Sequence, residues 1–224
     1  MTEAEWQACG DPLPMLRFLR DRASERKLRL LAVAACREIW DRITDGRSRE
    51  AVVVAEMFAD GLAGDADLLR ACQSAHDAST AAHAQSPSVG VAASAAARAS
   101  HPEIRRHIAS DGGPVAMSLH RAKANRRAQF CRIVRCIFGP LPFRPIMIEP
   151  TCSTPTISSL AETIYNDREV WNNPASRSSF DQLPILADAL EEVGCTDADL
   201  LAHCRGDGPH ARGCWVIDLL LGKE

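Results

Sequence analysis

The stretch that decides the fold runs from residue 26 to residue 43 and reads RKLRLLAVAACREIWDRI. From Leu28 to Ile43 its apolar side chains recur at spacings of three and four residues, which is the period of an α-helix. Further apolar residues between these positions widen the stripe beyond the single face of an ordinary surface helix. The pattern therefore predicts a helix over 26–43 that is buried on most sides.

The composition of the whole chain favours the same fold class. Of 224 residues, 46% are hydrophobic but only 5% are aromatic, and 35 are alanine, the best helix former. Scarce aromatic and β-branched residues argue against a β-sandwich or barrel. We therefore expect an all-α protein with many helices, built as one domain or two small ones.

Three segments divide the chain. Residues 1–138 form a predicted helical region whose middle, 63–99, contains fourteen alanines and must pack closely against larger neighbours or remain mobile. Residues 139–150 begin with GPLPFRP, where proline and glycine exclude a regular helix and predict an extended connector. Residues 151–224 read as a smaller module of short helices joined by glycine turns.

Several helix ends can be placed from local signals. Thr2 and Glu5 have the spacing of a capping box, while Ser24 and Asp197 are suited to cap the helices that follow them. Farther along the chain, we expect one continuous helix from the turn at 112–114 to about residue 138. A last helix is expected over 209–221.

Several segments look familiar together: TEAEW at 2–6 followed by PML at 14–16, RKLRL at 26–30, IFG at 137–139 followed by PFRP at 142–145, LPILADALEE at 183–192 and GPHARGCW at 208–215. They resemble a multi-copy family of uncharacterised bacterial proteins. The likeness covers both ends of the chain, and since the family has no established activity, it implies no catalytic residues. The 183–194 helix also resembles, more weakly, the helix of the bacterial repeat-companion domain, whose function is unknown.

The sequence predicts a cytoplasmic protein that does not enter a membrane. Its first residues have neither the basic nor the apolar region of a secretory signal. The apolar run at 30–36 is far shorter than the ~20 residues a membrane helix needs. Nine cysteines, an odd number without a CxxC pair, are expected to be mostly buried apolar residues rather than a disulfide framework.

Histidine and cysteine are concentrated near the C-terminus, at His203, Cys204, His210 and Cys214. Imidazole and thiolate are preferred ligands of zinc, and on the expected last helix His210 and Cys214 would share a face. His203 and Cys204, however, point about 100° apart on a helix and rarely bind the same ion. The candidate zinc ligands are therefore His203, His210 and Cys214. Packing of Cys214 into a core is the simpler interpretation, and a Cys/His nucleophile is a further one.

A possible anion site lies at the start of the expected last helix, where the candidate residues are Arg205, Gly208, His210 and Arg212. Free backbone N–H groups and the helix dipole favour a phosphate or carboxylate at such a position. The alternative, which we favour, is an internal pair between an arginine and an acidic residue such as Asp188 or Glu192.

Positive charge is concentrated in residues 98–135, which have a formal charge of +7 against −10 for the remainder. The candidate basic patch consists of Arg121, Lys123, Arg126, Arg127 and Arg132. Such a patch suits a nucleic-acid backbone or an acidic protein. The alternatives are that these side chains pair with acidic residues of the same molecule or are simply solvated. Phe130 is the only aromatic residue of this stretch, so the sequence lacks the several aromatic side chains on which single-stranded nucleic acids stack their bases.

No catalytic motif stands out in this sequence. Phosphate-binding fingerprints and nucleophile elbows are both missing. We expect a non-enzymatic protein-interaction or adaptor module whose partner is a protein. The first alternative is a zinc-containing or hydrolytic protein that uses His203, His210 and Cys214, and the second is a nucleic-acid binder that uses residues 98–135.

Overall fold

The computed structural model describes residues 1–110, 112–119, 122–149, 152–166 and 179–223. Within these ranges the regular structure consists of thirteen α-helices and two short 3₁₀-helices, with no strand. The predicted all-α fold is confirmed. In the described ranges, no helix combines the length and the apolar character that crossing a membrane requires.

The chain forms two compact units, Met1–Val134 and Arg135–Glu224, and the boundary falls inside a helix. The helices that begin in the first unit are α1 (Glu3–Ala8), α2 (Pro12–Leu19), α3 (Glu25–Arg37), α4 (Gly46–Ala59), α5 (Asp65–Gln85), α6 (Pro87–Ala99), α7 (Ile104–His107), α8 (Pro114–Ser118) and α9 (Ala124–Phe138). Those of the second unit are α10 (Pro155–Asn166), α11 (Leu183–Glu192), α12 (Ala198–Arg205) and α13 (Trp215–Leu220). The 3₁₀-helices cover Trp40–Arg42 and Ser179–Gln182.

Helix α3 is the buried helix that the opening pattern predicts, since every residue from 27 to 36 is buried. Its predicted end at residue 43 is wrong, because the α-helix stops at Arg37. The Ile39 N–H donates to the Cys36 carbonyl, an i→i+3 bond, and Ile39 itself has left helical geometry with φ −123°. The apolar pattern continues because Ile39 and Ile43, which flank the following 3₁₀ turn, are both buried, although no residue of the turn itself is.

A buried arginine links α3 to the end of α6. Arg29 is 1% exposed and donates to the carbonyls of Ala99, His101 and Pro102 at 3.2, 2.9 and 3.0 Å. Burial lowers the pKa of Arg29 to about 10, so the guanidinium is still charged at neutral pH. The charge is solvated by carbonyls at a helix C-terminus, where the helix dipole also favours a cation.

The Ala-rich segment forms a helical hairpin of α5 and α6, which meet at Ser86 and Pro87. Its small side chains let the two helices approach closely. The Ser79 and Ser94 hydroxyls are 2.6 Å apart, and a Cβ built on Gly90 would lie 2.5 Å from the His83 ring. This segment is therefore closely packed, one of the two outcomes expected for it.

The continuous helix expected up to residue 138 is instead interrupted after Ser118. The Leu119 N–H closes the last bond of α8, and the Leu119 carbonyl accepts from Ala122 in an i→i+3 turn. Helix α9 begins at Ala124, so the predicted single helix is wrong. A 3₁₀-type turn at a helix end tightens the chain and changes its direction.

One hydrophobic core holds the second unit together. Buried leucine, isoleucine and alanine side chains of α10 and α11 meet Trp215, Val216 and Ile217 of α13 in this core. Leu141, Ile146 and Ile148 of the proline-rich segment pack against the same core, as does Cys136 from α9. The segment expected as a connector is therefore part of the second unit, and the boundary lies at 134/135.

Candidate metal centre

Four side chains meet in the second unit and form what we call the Cys/His cluster: Cys136, His203, His210 and Cys214. Each offers a ligand atom, and these four atoms all lie within 4.8 Å of one another. Cys136 Sγ is 3.5 Å from His210 Nδ1, and Cys214 Sγ is 3.2 Å from His203 Nε2. Each sulfur atom thus contacts an imidazole nitrogen.

Helix ends and one loop supply these four residues. Cys136 lies in the last turn of α9, and His203 in the last turn of α12. His210 lies in the loop that follows α12, and Cys214 is the N-cap residue of α13. The main chain changes direction beside each of these positions, which lets segments distant in sequence bring their side chains together.

The last helix begins at Trp215, so the expectation of a helix over 209–221 is wrong. A turn over 211–214 precedes the helix instead, with the Cys214 N–H donating to the Ala211 carbonyl at 2.9 Å. Gly213 has φ +86°, as the third residue of a type II turn requires. His210 and Cys214 therefore approach each other through a turn rather than on one helix face.

Cys204 does not belong to the cluster, although it follows His203 in the sequence. It is 1% exposed and packs into the core of the second unit, where burial raises the pKa of its thiol. The rotation of about 100° between neighbouring helix residues explains why one points to the cluster and the other to the core.

Cys136 is not among the candidate ligands that the sequence predicts. Local spacing gives no sign of it, because it lies far from the other three residues along the chain. One weak signal existed: Cys136 is off the apolar stripe of α9, which contains Cys131 and Val134 at the period of a helix. A cysteine away from such a stripe has to be buried by some other part of the chain.

The distances in the cluster fit a tetrahedral zinc ion. With Zn–S near 2.3 Å and Zn–N near 2.0–2.1 Å, tetrahedral ligand atoms are separated by roughly 3.3–3.8 Å. Two of the four sulfur–nitrogen distances, 3.5 and 3.2 Å, are close to that range, and the remaining pairs of ligand atoms lie within 4.8 Å. Cys136, His203, His210 and Cys214 could accordingly hold the ion through Sγ, Nε2, Nδ1 and Sγ.

Aromatic side chains surround the imidazoles. Phe180 stacks on His210 with ring centroids 5.9 Å apart, while Trp215 lies 5.4 Å from His203. The two histidine rings meet edge to face at 5.0 Å. These contacts restrict the rotation of both rings and so fix which nitrogen faces the sulfur atoms.

The electrostatics of the cluster favour a thiolate at Cys214. Burial opposes ionisation of this side chain, but its contacts with Cys136, His203 and His210 outweigh burial and hold the pKa of the thiol well below its usual range. Thiolate is the form of cysteine that binds metal ions. Cys214 is therefore prepared for a cation before one arrives.

The residues of the predicted anion site have other contacts. Arg205 divides its guanidinium between Asp188, at 2.7 Å, and Glu191, at 2.6 Å. Arg212 is buried and donates to the Tyr165 carbonyl at 3.1 Å, with its guanidinium 4.2 Å from the Tyr165 ring. His210 belongs to the Cys/His cluster, and Gly208 is half-buried in the preceding loop. The anion site stays a prediction, and these contacts favour the internal pairing.

At least two of the five residues of the predicted basic patch are engaged within the first unit. Arg126 donates to the Glu38 carbonyl, and Arg127 pairs with Asp11 at 3.3 Å. Arg126 and the exposed Lys123 line an open cleft together with Glu38. Arg132 is exposed on α9, and Arg121 lies outside the described residues. Nucleic-acid binding through this patch stays a prediction.

Comparison with known proteins leaves this chain without a match among family models, curated proteins or solved structures. The resemblance of its two ends to an uncharacterised bacterial family therefore stays a prediction. The Cys/His cluster is the feature of this chain from which a function can be inferred.

Proposed function

We propose that this protein binds one zinc ion through Cys136, His203, His210 and Cys214 and uses it to stabilise its second unit. The single observation that carries this proposal is the convergence of the four ligand atoms within 4.8 Å of one another. Packing alone accounts for a buried cysteine. It does not by itself bring two sulfur atoms and two imidazole nitrogen atoms into one cluster, as a tetrahedral zinc ion requires.

The composition of the cluster favours zinc and a structural role. A Cys₂His₂ set is one of the usual structural zinc sites, whereas catalytic zinc normally has three protein ligands and an open position for water. Four protein ligands leave no such position. A hydrolytic role for the same residues is therefore disfavoured.

The geometry also disfavours a Cys/His nucleophile. His203 Nε2 lies within reach of Cys214 Sγ, as such a pair requires. Cys214 is, however, only 1% exposed and has Cys136 and His210 as further neighbours. A substrate of the size of a peptide or an ester would have to displace these side chains to reach the sulfur atom.

A metal ion would join three parts of the second unit that are distant in sequence. Cys136 belongs to α9, His203 to α12 and Cys214 to the start of α13. Because the four ligands come together only in the folded unit, the free energy of zinc binding adds to the free energy of unfolding of this unit. Protein interaction and adaptor activity, expected from the sequence, remain predictions about the surface and are compatible with such a site.

Metal analysis of the reduced protein tests the proposal. Protein purified without added chelator and kept reduced is expected to contain one equivalent of zinc. Replacement of zinc by Co²⁺ should give the intense visible absorption of a tetrahedral site together with thiolate-to-metal charge-transfer bands. An octahedral cobalt spectrum, or less than a tenth of an equivalent of metal after incubation with zinc, would contradict it.

Matched variants separate the cluster from its surroundings. His210→Ala and Cys214→Ser should each lose the stoichiometric zinc, because each removes a ligand. Cys204→Ser changes an equally buried cysteine next to a proposed ligand and should keep one equivalent. Equal zinc content in all three variants would place the metal elsewhere.

A further inference from the structure

We propose that Cys136 and Cys214 form a reversible redox switch: a peroxide-class oxidant joins their sulfur atoms in a disulfide, and the metal ion is released. This inference rests on the proposed zinc site and concerns its regulation. It adds a property that a structural zinc site does not have by itself, namely release of the ion from the folded protein by oxidation.

The position of the two sulfur atoms carries the inference. They lie within 4.8 Å of each other, and each is also within 4.8 Å of both imidazole ligands. A disulfide has an S–S length near 2.05 Å, so closing the bond requires the sulfurs to approach by less than about 3 Å. The two side chains are also in direct contact, since Cys136 is one of the groups that hydrogen-bond to Cys214.

A small oxidant would approach the cluster past its two imidazole rings. The side chains of Cys136 and Cys214 are 2% and 1% exposed, but His203 and His210 are only half-buried. Hydrogen peroxide is hardly larger than water, and the proposed switch requires it to pass the edges of these two rings. Bulkier oxidants would meet the aromatic side chains of Phe180 and Trp215.

The chemistry balances with one molecule of hydrogen peroxide. One thiolate attacks a peroxide oxygen, breaks the O–O bond and becomes a sulfenic acid, releasing hydroxide. The second thiolate then attacks the sulfenic sulfur, forms the S–S bond and releases a second hydroxide. Two protons convert the hydroxides to water. The two sulfurs together lose two electrons, and the ion keeps only two histidine ligands.

The core of the second unit makes such a switch reversible. Leucine and isoleucine side chains of α10 and α11 pack against Trp215, Val216 and Ile217 without any contribution from a metal. A small zinc finger unfolds when it loses its ion because it has no comparable core. Here the ligands should stay near one another after oxidation, so that reduction restores the site.

Other thiols in this unit could compete for the same oxidant. Cys204 lies close enough to Cys214 and Cys195 for their charges to interact, and Cys152 contacts Cys195. Cys204 is not part of the cluster and offers a matched control. The proposal requires the disulfide to join Cys136 to Cys214 rather than to join either of them to Cys204.

Zinc release and disulfide mapping on the same sample test the switch. Zinc-loaded full-length protein is treated with hydrogen peroxide while a chromophoric chelator reports free zinc, and peptide mass mapping identifies the new bond. We expect one equivalent of zinc released per Cys136–Cys214 disulfide, and one equivalent bound again after thiol reduction and added zinc. Cys204→Ser should give the same yields.

The possible results separate this proposal from the proposed function. A reduced protein that binds no zinc would contradict the site and with it the switch. A protein that binds one equivalent but keeps it while its cysteines are oxidised would overturn the switch alone. Zinc release through a Cys204–Cys214 disulfide, or through sulfinic acids that thiols cannot reduce, would overturn it as well.

Discussion

Cys204 and Cys214 show that the side chains around a buried cysteine determine whether the pKa of its thiol is raised or lowered. Both side chains are 1% exposed, and both begin from the same ordinary thiol. Burial raises the pKa of Cys204, whereas contacts with Cys136, His203 and His210 overcome burial at Cys214 and lower its pKa. A buried thiol is thus inert in one place and prepared for a cation in the other.

This difference predicts how the stability of the metal-free protein depends on pH. Because Cys214 has a lower pKa in the folded than in the unfolded chain, the unfolded state binds more protons between the folded value and the ordinary value of 9.0. The free energy of unfolding should therefore rise with pH across this window, and the contribution is lost as pH falls through the folded pKa. Urea unfolding in the presence of chelator, at a series of pH values, measures the slope.

Two serine variants provide the controls for this slope. Cys214→Ser should flatten the pH dependence, because the shifted group is gone. Cys204→Ser should leave it unchanged, because that thiol has a raised pKa and stays protonated in the folded protein throughout the window. If the free energy of unfolding changes equally with pH in the wild type and in Cys214→Ser, the pKa of Cys214 is not lowered in the folded protein.

At the scale of the elements, the cluster depends on where helices end. Helix α9 stops at Phe138 because Gly139 adopts φ +51°, a conformation that side chains with a Cβ rarely take. A Cβ on Gly139 would also lie 2.7 Å from the Trp215 ring, which itself packs 5.4 Å from His203. This glycine therefore sets both the end of the helix and the place of a tryptophan that supports the site.

Gly139→Ala should weaken the metal site as well as the fold. Strain in the left-handed region costs roughly 1–2 kcal/mol, and displacement of Trp215 should move His203 enough to weaken zinc binding about tenfold, or about 1.4 kcal/mol. Zinc affinity by chelator competition and urea unfolding measure the two effects.

Gly222→Ala is the matched control for that variant. Gly222 also has a positive φ, +62°, but a Cβ there would meet no atom within 4 Å. Gly222→Ala should lower the free energy of unfolding through backbone strain and leave the zinc affinity unchanged. If both variants bind zinc equally, contact with Trp215 does not position the site.

At the scale of the whole molecule, the Cys/His cluster belongs entirely to one unit. All four residues lie within Arg135–Glu224, and the core that surrounds them is made of residues from the same unit. The first unit has its own buried helix, α3, and its own helical hairpin of α5 and α6. A ligand that binds one unit raises the stability of that unit by mass action.

Removal of the metal should therefore affect the two units unequally. At free zinc about one hundred times the dissociation constant, binding contributes roughly 2.7 kcal/mol, which a chelator would remove. Hydrogen exchange followed by mass spectrometry should then show faster exchange in peptides of α11 to α13 and unchanged exchange in α3 and α5. Cys214→Ser should exchange like the chelated protein. If hydrogen exchange became equally faster in both units, the assignment of the zinc site to the second unit alone would be contradicted.

The sequence by itself determined the all-α fold and many helix starts. Thr2, Ser24 and Asp197 cap their helices as predicted, each accepting from the backbone N–H three residues later. Such signals are readable because both partners of the bond lie within one turn of the chain. Features that depend on more distant residues cannot be predicted in this way. The end of α3 and the start of the last helix were both predicted wrongly, because packing and a turn decide them rather than the apolar periodicity.

Only the tertiary structure decided that Cys136 joins His203, His210 and Cys214. No local pattern connects residue 136 to residue 203, since their approach depends on how the second unit packs its helices and on the turns at Gly139 and Gly213. Contacts between distant residues carry an entropic cost of loop closure that the hydrophobic core repays. The sequence thus supplied three candidate ligands, and the packed core supplied the fourth and the geometry that makes them a site.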